Sequence, residues 1–421
     1  MSVLYVSYDG ALEPLGESQV VNYLERLAAR YGITLVSFER AADLADTARV
    51  NLLRRRLAAA GIRWRPLRYH KRPPVLSTAW DVMRGFVAAA HEARRGHVRV
   101  VHARGYVASV IALAVCRGVG ARFLFDMRGF WPDEKVDAGH WRRRSSLYRV
   151  AKRCERLFFE SADAAVSLTA AGVDAIRALG YAREDAVVEV IPTCADLRRF
   201  SPGPRDMALA ARLGVGDAPV IGCAGTMSLW YLRHAMLSYL GQLTAAFETL
   251  TVLILTHEDH QTLRREAIAA GVPAGRLRIT RAAFAEMPDH LRLMDVGLFF
   301  IQPTFSKQGS AATKLGEFLG TGVPVIINDG VGDSGHIVRE GRAGIVLPDT
   351  TRQTLSASLP AVAALLDDPD VRHRCRATAE RWFDLDAGVE RYARLYARLG
   401  ATPRRLTKEP AAADGDEVAR P

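Results

Sequence analysis

Val296-Gly-Leu-Phe-Phe-Ile301 runs into Gln302-Pro-Thr-Phe-Ser-Lys-Gln-Gly-Ser310, and that into Ala311-Ala-Thr-Lys-Leu-Gly-Glu-Phe-Leu-Gly-Thr-Gly-Val-Pro-Val-Ile326. An apolar run, a polar glycine-bearing loop, an amphipathic stretch and a second apolar run, in that order, make a strand–loop–helix–strand unit. The spacing predicts a helix over 312–319. Counted as helix, Ser310, Lys314 and Glu317 share one face through i+4 and i+3 spacing. The free N–H groups at the start of such a helix suit a diphosphate, and Lys314 adds positive charge beside them. Glu317, one turn deeper, suits the two hydroxyls of a ribose. Gly320 and Gly322 end the helix, and Pro324 prevents its continuation. Standing alone, the same residues would read as a surface Lys–Glu pair.

The same alternation fills the rest of the chain. Residues 3–7, 33–38, 62–67, 98–102, 122–126, 164–168 and 187–191 read as strands, with helices expected over 19–30, 46–60, 107–117, 145–160 and 170–179. The strands lack clean alternation, as expected when both faces are covered. The stretch 192–206 holds three prolines and a glycine and no apolar periodicity, so a linker is expected there. Strands then resume at 220–223, 250–255, 276–279, 296–301, 323–327 and 343–347, interleaved with helices and followed by helical stretches at 355–366, 371–383 and 387–399. The expected organisation is an α/β, parallel-sheet domain over 1–200, a second over 206–385, a terminal helix over 386–402 and a disordered tail over 403–421.

In open parallel sheets ligands bind beyond the carboxyl ends of strands. After the first strand, Tyr8-Asp-Gly-Ala-Leu-Glu-Pro-Leu-Gly-Glu-Ser-Gln19 places Gly10 and Gly16 before an amphipathic helix. Glycine lets backbone amides approach a phosphate. The spacing is not that of a dinucleotide-binding loop, and a Ser or Glu capping pattern explains it equally well.

The 421 residues carry 57 Lys and Arg against 46 Asp and Glu, a net charge of +11, concentrated in Arg54-Arg55-Arg56, residues 63–72 and Arg142-Arg143-Arg144. Such clusters suit anionic lipid headgroups or phosphorylated acceptors, and equally a solvated Arg-rich surface. With no zinc-finger or RNA-binding signature, nucleic acid is not expected. The five cysteines are scattered and show no C-x-x-C pair, so free thiols and no metal site are expected. No apolar run of about 18 residues suggests a span, and the first residues read as a strand rather than a signal peptide. The expectation is a cytoplasmic protein, with peripheral attachment at the inner face of the plasma membrane as a further reading of the basic surplus.

Glu317 followed by Thr321-Gly322-Val323-Pro324-Val325-Ile326, with Thr313-Lys314-Leu315 before it, resembles the donor-binding segment of glycosyltransferase family 4, enzymes of the GT-B fold. Other pieces are similar to that family: Ser7-Tyr8-Asp9-Gly10 with Gly16, Val100-Val101-His102-Ala103-Arg104, Phe125-Asp126-Met127-Arg128-Gly129, Val190-Ile191-Pro192, and Phe383-Asp384 before the last helix. The resemblance implies two facing Rossmann-like domains with a C-terminal crossover helix. It implies a retaining, metal-independent transfer from a nucleoside diphosphate sugar, UDP favoured, to a glycan, lipid-linked or small-molecule acceptor, in cell-surface polysaccharide biosynthesis. No cofactor beyond the donor substrate is implied. His102, Arg104, Asp126 and Arg128 would lie near the reacting sugar, and Gly10, Gly16, Thr226, Arg233, Ser310, Thr313, Lys314 and Glu317 near the donor.

Two departures stand out. The family often carries a second glutamate that touches the donor sugar, and its place here is Gly309. The usual basic pair after the first strand of the second domain is replaced by Gly225-Thr226-Met227-Ser228, leaving Arg233 as the nearest cation. A non-catalytic nucleotide-sugar-binding protein and a sugar-nucleotide epimerase of the same fold are the alternatives these departures leave open.

Overall fold

The computed structural model describes residues 2–181 and 186–404; the expected tail beyond 404 lies outside the described residues. The first sheet comprises β1 (Val3–Ser7), β2 (Ile33–Glu39), β3 (Arg63–Arg68), β4 (Val100–Arg104), β5 (Arg122–Asp126), β6 (Ala164–Ser167) and β7 (Val188–Val190). Its order is β3-β2-β1-β4-β5-β6-β7, with every pairing parallel. The second comprises β8 (Val220–Ala224), β9 (Thr251–Leu255), β10 (Leu277–Thr280), β11 (Val296–Phe299), β12 (Val325–Asn328) and β13 (Gly344–Leu347), ordered β10-β9-β8-β11-β12-β13 and again parallel. Every expected strand is present within one or two residues. The central strands β1, β4, β8 and β9 are buried along their whole length, which is why β1, β8 and β9 read as largely continuous apolar runs.

Strand order reverses between β1 and β4 and between β8 and β11. At these switch points the connections diverge to opposite faces and leave a crevice beyond the strand ends. The first sheet has a core on each face. One of them is completed by Leu385, Val389, Tyr392 and Tyr396 of the last helix, Leu385–Arg398, although Phe383 belongs to the core of the second domain. The chain thus changes domain at Asp384, where Ala195 donates to the Phe383 carbonyl at 2.8 Å and Leu385 to the Ala195 carbonyl at 3.2 Å. Ala195, Leu197 and Phe200 pack in the second core. From Ala195 onward the linker's apolar residues therefore serve that domain, whereas Cys194 packs in a core of the first.

One large element was not legible. Pro74–Gly96 is a 23-residue helix whose inward face is Ser77, Asp81, Gly85, Ala89 and Ala93. Small residues sit there because its neighbour is close: a Cβ on Gly85 would lie 2.5 Å from Ile111 Cδ1 and 2.8 Å from Phe38 Cζ. The large side chains consequently point outward, and the pattern does not mark a core-facing helix.

Candidate functional site

Where a helix begins decides which amides are free. The helix of the quoted stretch runs Thr313–Gly320 and is preceded by a 3-10 turn, Phe305–Gly309. Ser310 is therefore not on the helix face shared by Lys314 and Glu317; it lies in extended backbone, at φ −111° and ψ 134°. The turn bends the chain around Gly309, and the first helical residue comes three positions later than a continuous helix from Ser310 would need. Ala312, the residue before the helix, has no side chain able to accept from the first amides, so this N-terminus is uncapped. Gly322, at φ +77°, supplies the left-handed residue that ends the helix.

The two glycine-bearing loops after β1 and β8 behave differently. In the first, the Glu39 carboxylate accepts from the amides of Ala11 at 2.9 Å and Leu12 at 3.1 Å. Gly10 and Gly16 are buried, and a Cβ on Gly16 would lie 1.9 Å from the Gly10 carbonyl oxygen. These two glycines let backbone cross backbone; phosphate approach is not what requires them here. In the second loop, Glu258 accepts from the amides of Met227 (2.9 Å) and Ser228 (3.0 Å) and from both hydroxyls, Thr226 (2.5 Å) and Ser228 (2.8 Å). Burial opposes its charge, yet these donors hold its carboxyl below the usual range. Arg233 is ion-paired to Glu258 and Glu266, each at 3.0 Å. Thr226 and Arg233 are thus engaged by the protein's own carboxylates.

Lys314 remains. Its ammonium lies 3.4 Å from the Thr226 carbonyl oxygen and 3.9 Å from the centre of the Tyr231 ring, with no carboxylate partner among the described residues. Glu317 is partly buried and its carboxylate makes no hydrogen bond among the described residues; burial pushes its pKa up to about 7, against the pull of Lys314 and Arg199. Beside them opens a cavity of about 370 Å³, lined by Gly225, Thr226, Thr256, His257, Glu258 and Met287 among others. An uncapped helix start, a free ammonium, an unsatisfied carboxylate and a cavity together form a surface able to take an anion attached to a polar ring system.

Across the crevice, the ends of β4 and β5 bring His102, Arg104, Asp126 and Arg128 together. Asp126 is 3.5 Å from His102 Nε2, 4.0 Å from Arg104 and 3.8 Å from Arg128. Burial works against its charge, but Arg128, His102 and Arg104 outweigh that and keep it ionised. The last helix covers this cluster: Tyr392 donates to Asp126 at 3.1 Å, and Tyr396 hydrogen-bonds His102 Nδ1 at 2.8 Å. His102 is further boxed by the Tyr5 ring at 4.3 Å, and burial lowers its pKa. His102 and Asp126 accordingly lie beneath the last helix. Arg104 Nε and Nη1 and Asp126 Oδ1 are buried without a hydrogen-bond partner among the described residues. Arg128 takes φ +60°, a backbone state a side-chain-bearing residue adopts at a cost.

The two domains also touch directly. Lys307 pairs with Glu134 at 2.7 Å and lies 3.8 Å over the Trp230 ring. Phe305 packs on Phe130, and Asp333 caps the amides of Ala170 (2.6 Å) and Ala171 (3.0 Å) at the start of the Ala170–Ala178 helix. A Cβ on Gly309 would lie 3.1 Å from Met127 Cε and Phe130 Cδ2. A glutamate at this position would have to displace those side chains. Tyr392 and Tyr396, at i and i+4, were readable as a pair; Glu39, Glu258 and Asp333 had no sequence signal.

Two facing parallel-sheet domains, a crevice between their switch points and a crossover helix define the GT-B architecture. Residues 16–194 match the glycosyl transferase 4-like domain, and the chain as a whole has the GT-B fold of the solved structures it resembles. Among solved structures, a glycosyltransferase from Rickettsia africae aligns at TM-score 0.71 with 12% identity, covering 94% of this chain and 98% of that one. Sucrose-phosphate synthase from Thermosynechococcus elongatus aligns at 0.69 with 14% identity, covering 95% and 99%. Anabaena HepE, in complex with UDP and glucose, aligns at 0.67 with 16% identity, covering 94% and 99%. No curated protein sequence matches the chain.

Proposed function

We propose that the protein is a retaining, metal-independent transferase that moves a sugar from a nucleoside diphosphate, UDP favoured, to a glycan, lipid-linked or small-molecule acceptor. The cell-surface polysaccharide pathway and peripheral contact with an anionic membrane belong to the same reading. The observation that carries it is the uncapped start of Thr313–Gly320 with Lys314 unpaired beside it. The other two candidate anion loops are already closed by Glu39 and Glu258.

In this reading the diphosphate lies on the amides of Thr313 and Lys314. The Glu317 carboxylate accepts from the ribose hydroxyls, and the base enters the cavity beside Gly225. The Anabaena neighbour's complex with UDP supports the choice of nucleotide. As the sugar–phosphate bond breaks, charge grows on the leaving phosphate. Fixed amides and the Lys314 ammonium answer it without reorganising, which lowers the barrier. The leaving phosphate oxygen takes the acceptor's proton on the same face of the sugar, so no protein nucleophile is needed. Arg104 and Arg128 offer donors to sugar or acceptor hydroxyls. Asp126, with His102 beside it beneath the last helix, holds these arginines in place.

The test is a melting-temperature panel with UDP, GDP, ADP and dTDP sugars, because a ligand that binds only the folded chain raises its melting point by mass action. A selective rise with UDP sugars is expected. No rise with any of them would end the donor-site reading.

A further inference from the structure

A helix on the surface of a soluble domain turns its large apolar side chains inward. Pro74–Gly96 does the reverse. Leu76, Trp80, Met83 and Val87 project outward, with Leu76 71% and Trp80 51% exposed, while Ser77, Asp81, Gly85 and Ala89 face in. The arrangement is anchored, since the buried Asp81 accepts from the Tyr8 hydroxyl at 3.0 Å and the His70 amide at 2.9 Å. Rotating the helix to hide Trp80 would break both bonds and drive bulk into the 2.5 Å approach at Gly85.

The exposure continues across the layer. Pro74–Gly96, Gly105–Val119 and Ser146–Ser161 pack side by side on one face of the first sheet. Ten of the sixteen large apolar side chains exposed among the described residues lie on these three helices, including Val110, Leu147 and Val150. So large an apolar share on one layer marks a contact surface.

The charge around it has one sign. Lys71, Arg72, Arg94, Arg95, Arg149 and Arg153 are exposed and have no ion pair among the described residues, and neither do Arg142, Arg143 and Arg144. The carboxylates Asp81, Glu92 and Glu155 on the same helices are buried, and Glu160 is paired with Arg156. A second copy of the chain packed here across a two-fold axis would bring like charges together. A bilayer with anionic headgroups complements both features, taking the apolar side chains below the headgroups and the arginines among them. No helix among the described residues is long and apolar enough to cross a membrane, so the contact is in-plane.

We propose that the outer face of this three-helix layer, centred on Trp80, is the surface by which the protein docks on an anionic lipid bilayer. This deepens the membrane contact of the functional reading and rests on it. Tyr8 and His70, bonded to Asp81, belong to the loops after β1 and β3, so the start of the Pro74–Gly96 helix lies at the crevice end of the sheet. Docking there brings the crevice mouth to the headgroups, within reach of an acceptor held on a lipid.

The experiment is cosedimentation of the full chain with phosphatidylcholine vesicles carrying about 30 mol% phosphatidylglycerol, and with neutral vesicles. Wild type should bind the anionic vesicles and not the neutral ones. The double variant Leu76→Ser, Trp80→Ser should bind at least about tenfold more weakly, while keeping the melting point and its rise with UDP. Undiminished vesicle binding by that variant would overturn this face while leaving a membrane contact elsewhere. No binding by wild type would overturn the membrane contact itself, with the UDP response still reporting on the donor site. A wild-type dimer that the double variant converts to monomer, without vesicle binding by either, would assign the face to a second copy instead.

Discussion

Replacing Glu317 by glutamine should make the protein more stable and a poorer binder of donor, and the two effects should have different pH profiles. The carboxyl of Glu317 ordinarily titrates at 4.5, and burial pushes it up to about 7 in the folded chain. Below 4.5 it is protonated folded and unfolded, and contributes nothing. Between 4.5 and about 7 the unfolded chain has lost the proton that the folded chain keeps, so stability falls as pH rises. Above about 7 the loss is complete, and the interval corresponds to at most about 3 kcal/mol. Glutamine carries no such cost. The variant should match wild type near pH 4.5 and melt several degrees higher at pH 8. Donor binding should run the other way. Ribose hydroxyls donate to the ionised carboxylate, so wild-type UDP affinity should tighten as pH rises through about 7, with release of a proton. Loss of charge-assisted bonds in the variant should weaken UDP by about 10- to 100-fold at pH 8. Calorimetry in buffers of differing ionisation enthalpy and melts from pH 4.5 to 8 read both. A stability gap that does not change with pH, or unchanged UDP affinity, would refute the reasoning.

Lys314→Ala should lower turnover on the order of a hundredfold while changing UDP affinity little, because an ammonium near the diphosphate matters most when leaving-group charge develops; steady-state kcat against KM reads the split. Full transfer activity in excess chelator is expected, and its loss would reject metal independence. Gly309→Glu should destabilise by about 1–3 kcal/mol, because the new side chain meets Met127 and Phe130 at 3.1 Å; denaturant melts check it. Asp333→Ala should cost about 1 kcal/mol by leaving the Ala170 and Ala171 amides without their acceptor, with Thr169 still capping the helix, and should loosen the closed crevice, seen as a larger radius of gyration in solution scattering.

Much of the fold was legible because parallel strands buried on both faces leave a strong local trace, as in Val3–Ser7 and Thr251–Leu255. Pro74–Gly96 was not, because its inward residues are chosen by the closeness of Ile111 and Phe38, which only the assembled domain reveals. At the site, Lys314 and Glu317 were legible from spacing on one helix. Ser310 was misplaced because helix starts depend on a turn at Gly309 that packs against the opposite domain.

The amino-acid order by itself determined two parallel-sheet domains, the place of the Thr313–Gly320 helix and its stop at Gly320–Pro324, since these rest on neighbours within a few residues. Only the tertiary structure decided which glycine loops remain open to an anion. Glu39 and Glu258 come from other strands and other loops, and they fill amides that local sequence leaves free. The same holds for the β4–β5 cluster: Tyr392 and Tyr396 reach His102 and Asp126 from more than 260 positions away. A hydrogen bond depends on distance in space, and no spacing along the chain encodes that distance until the domains have closed on each other.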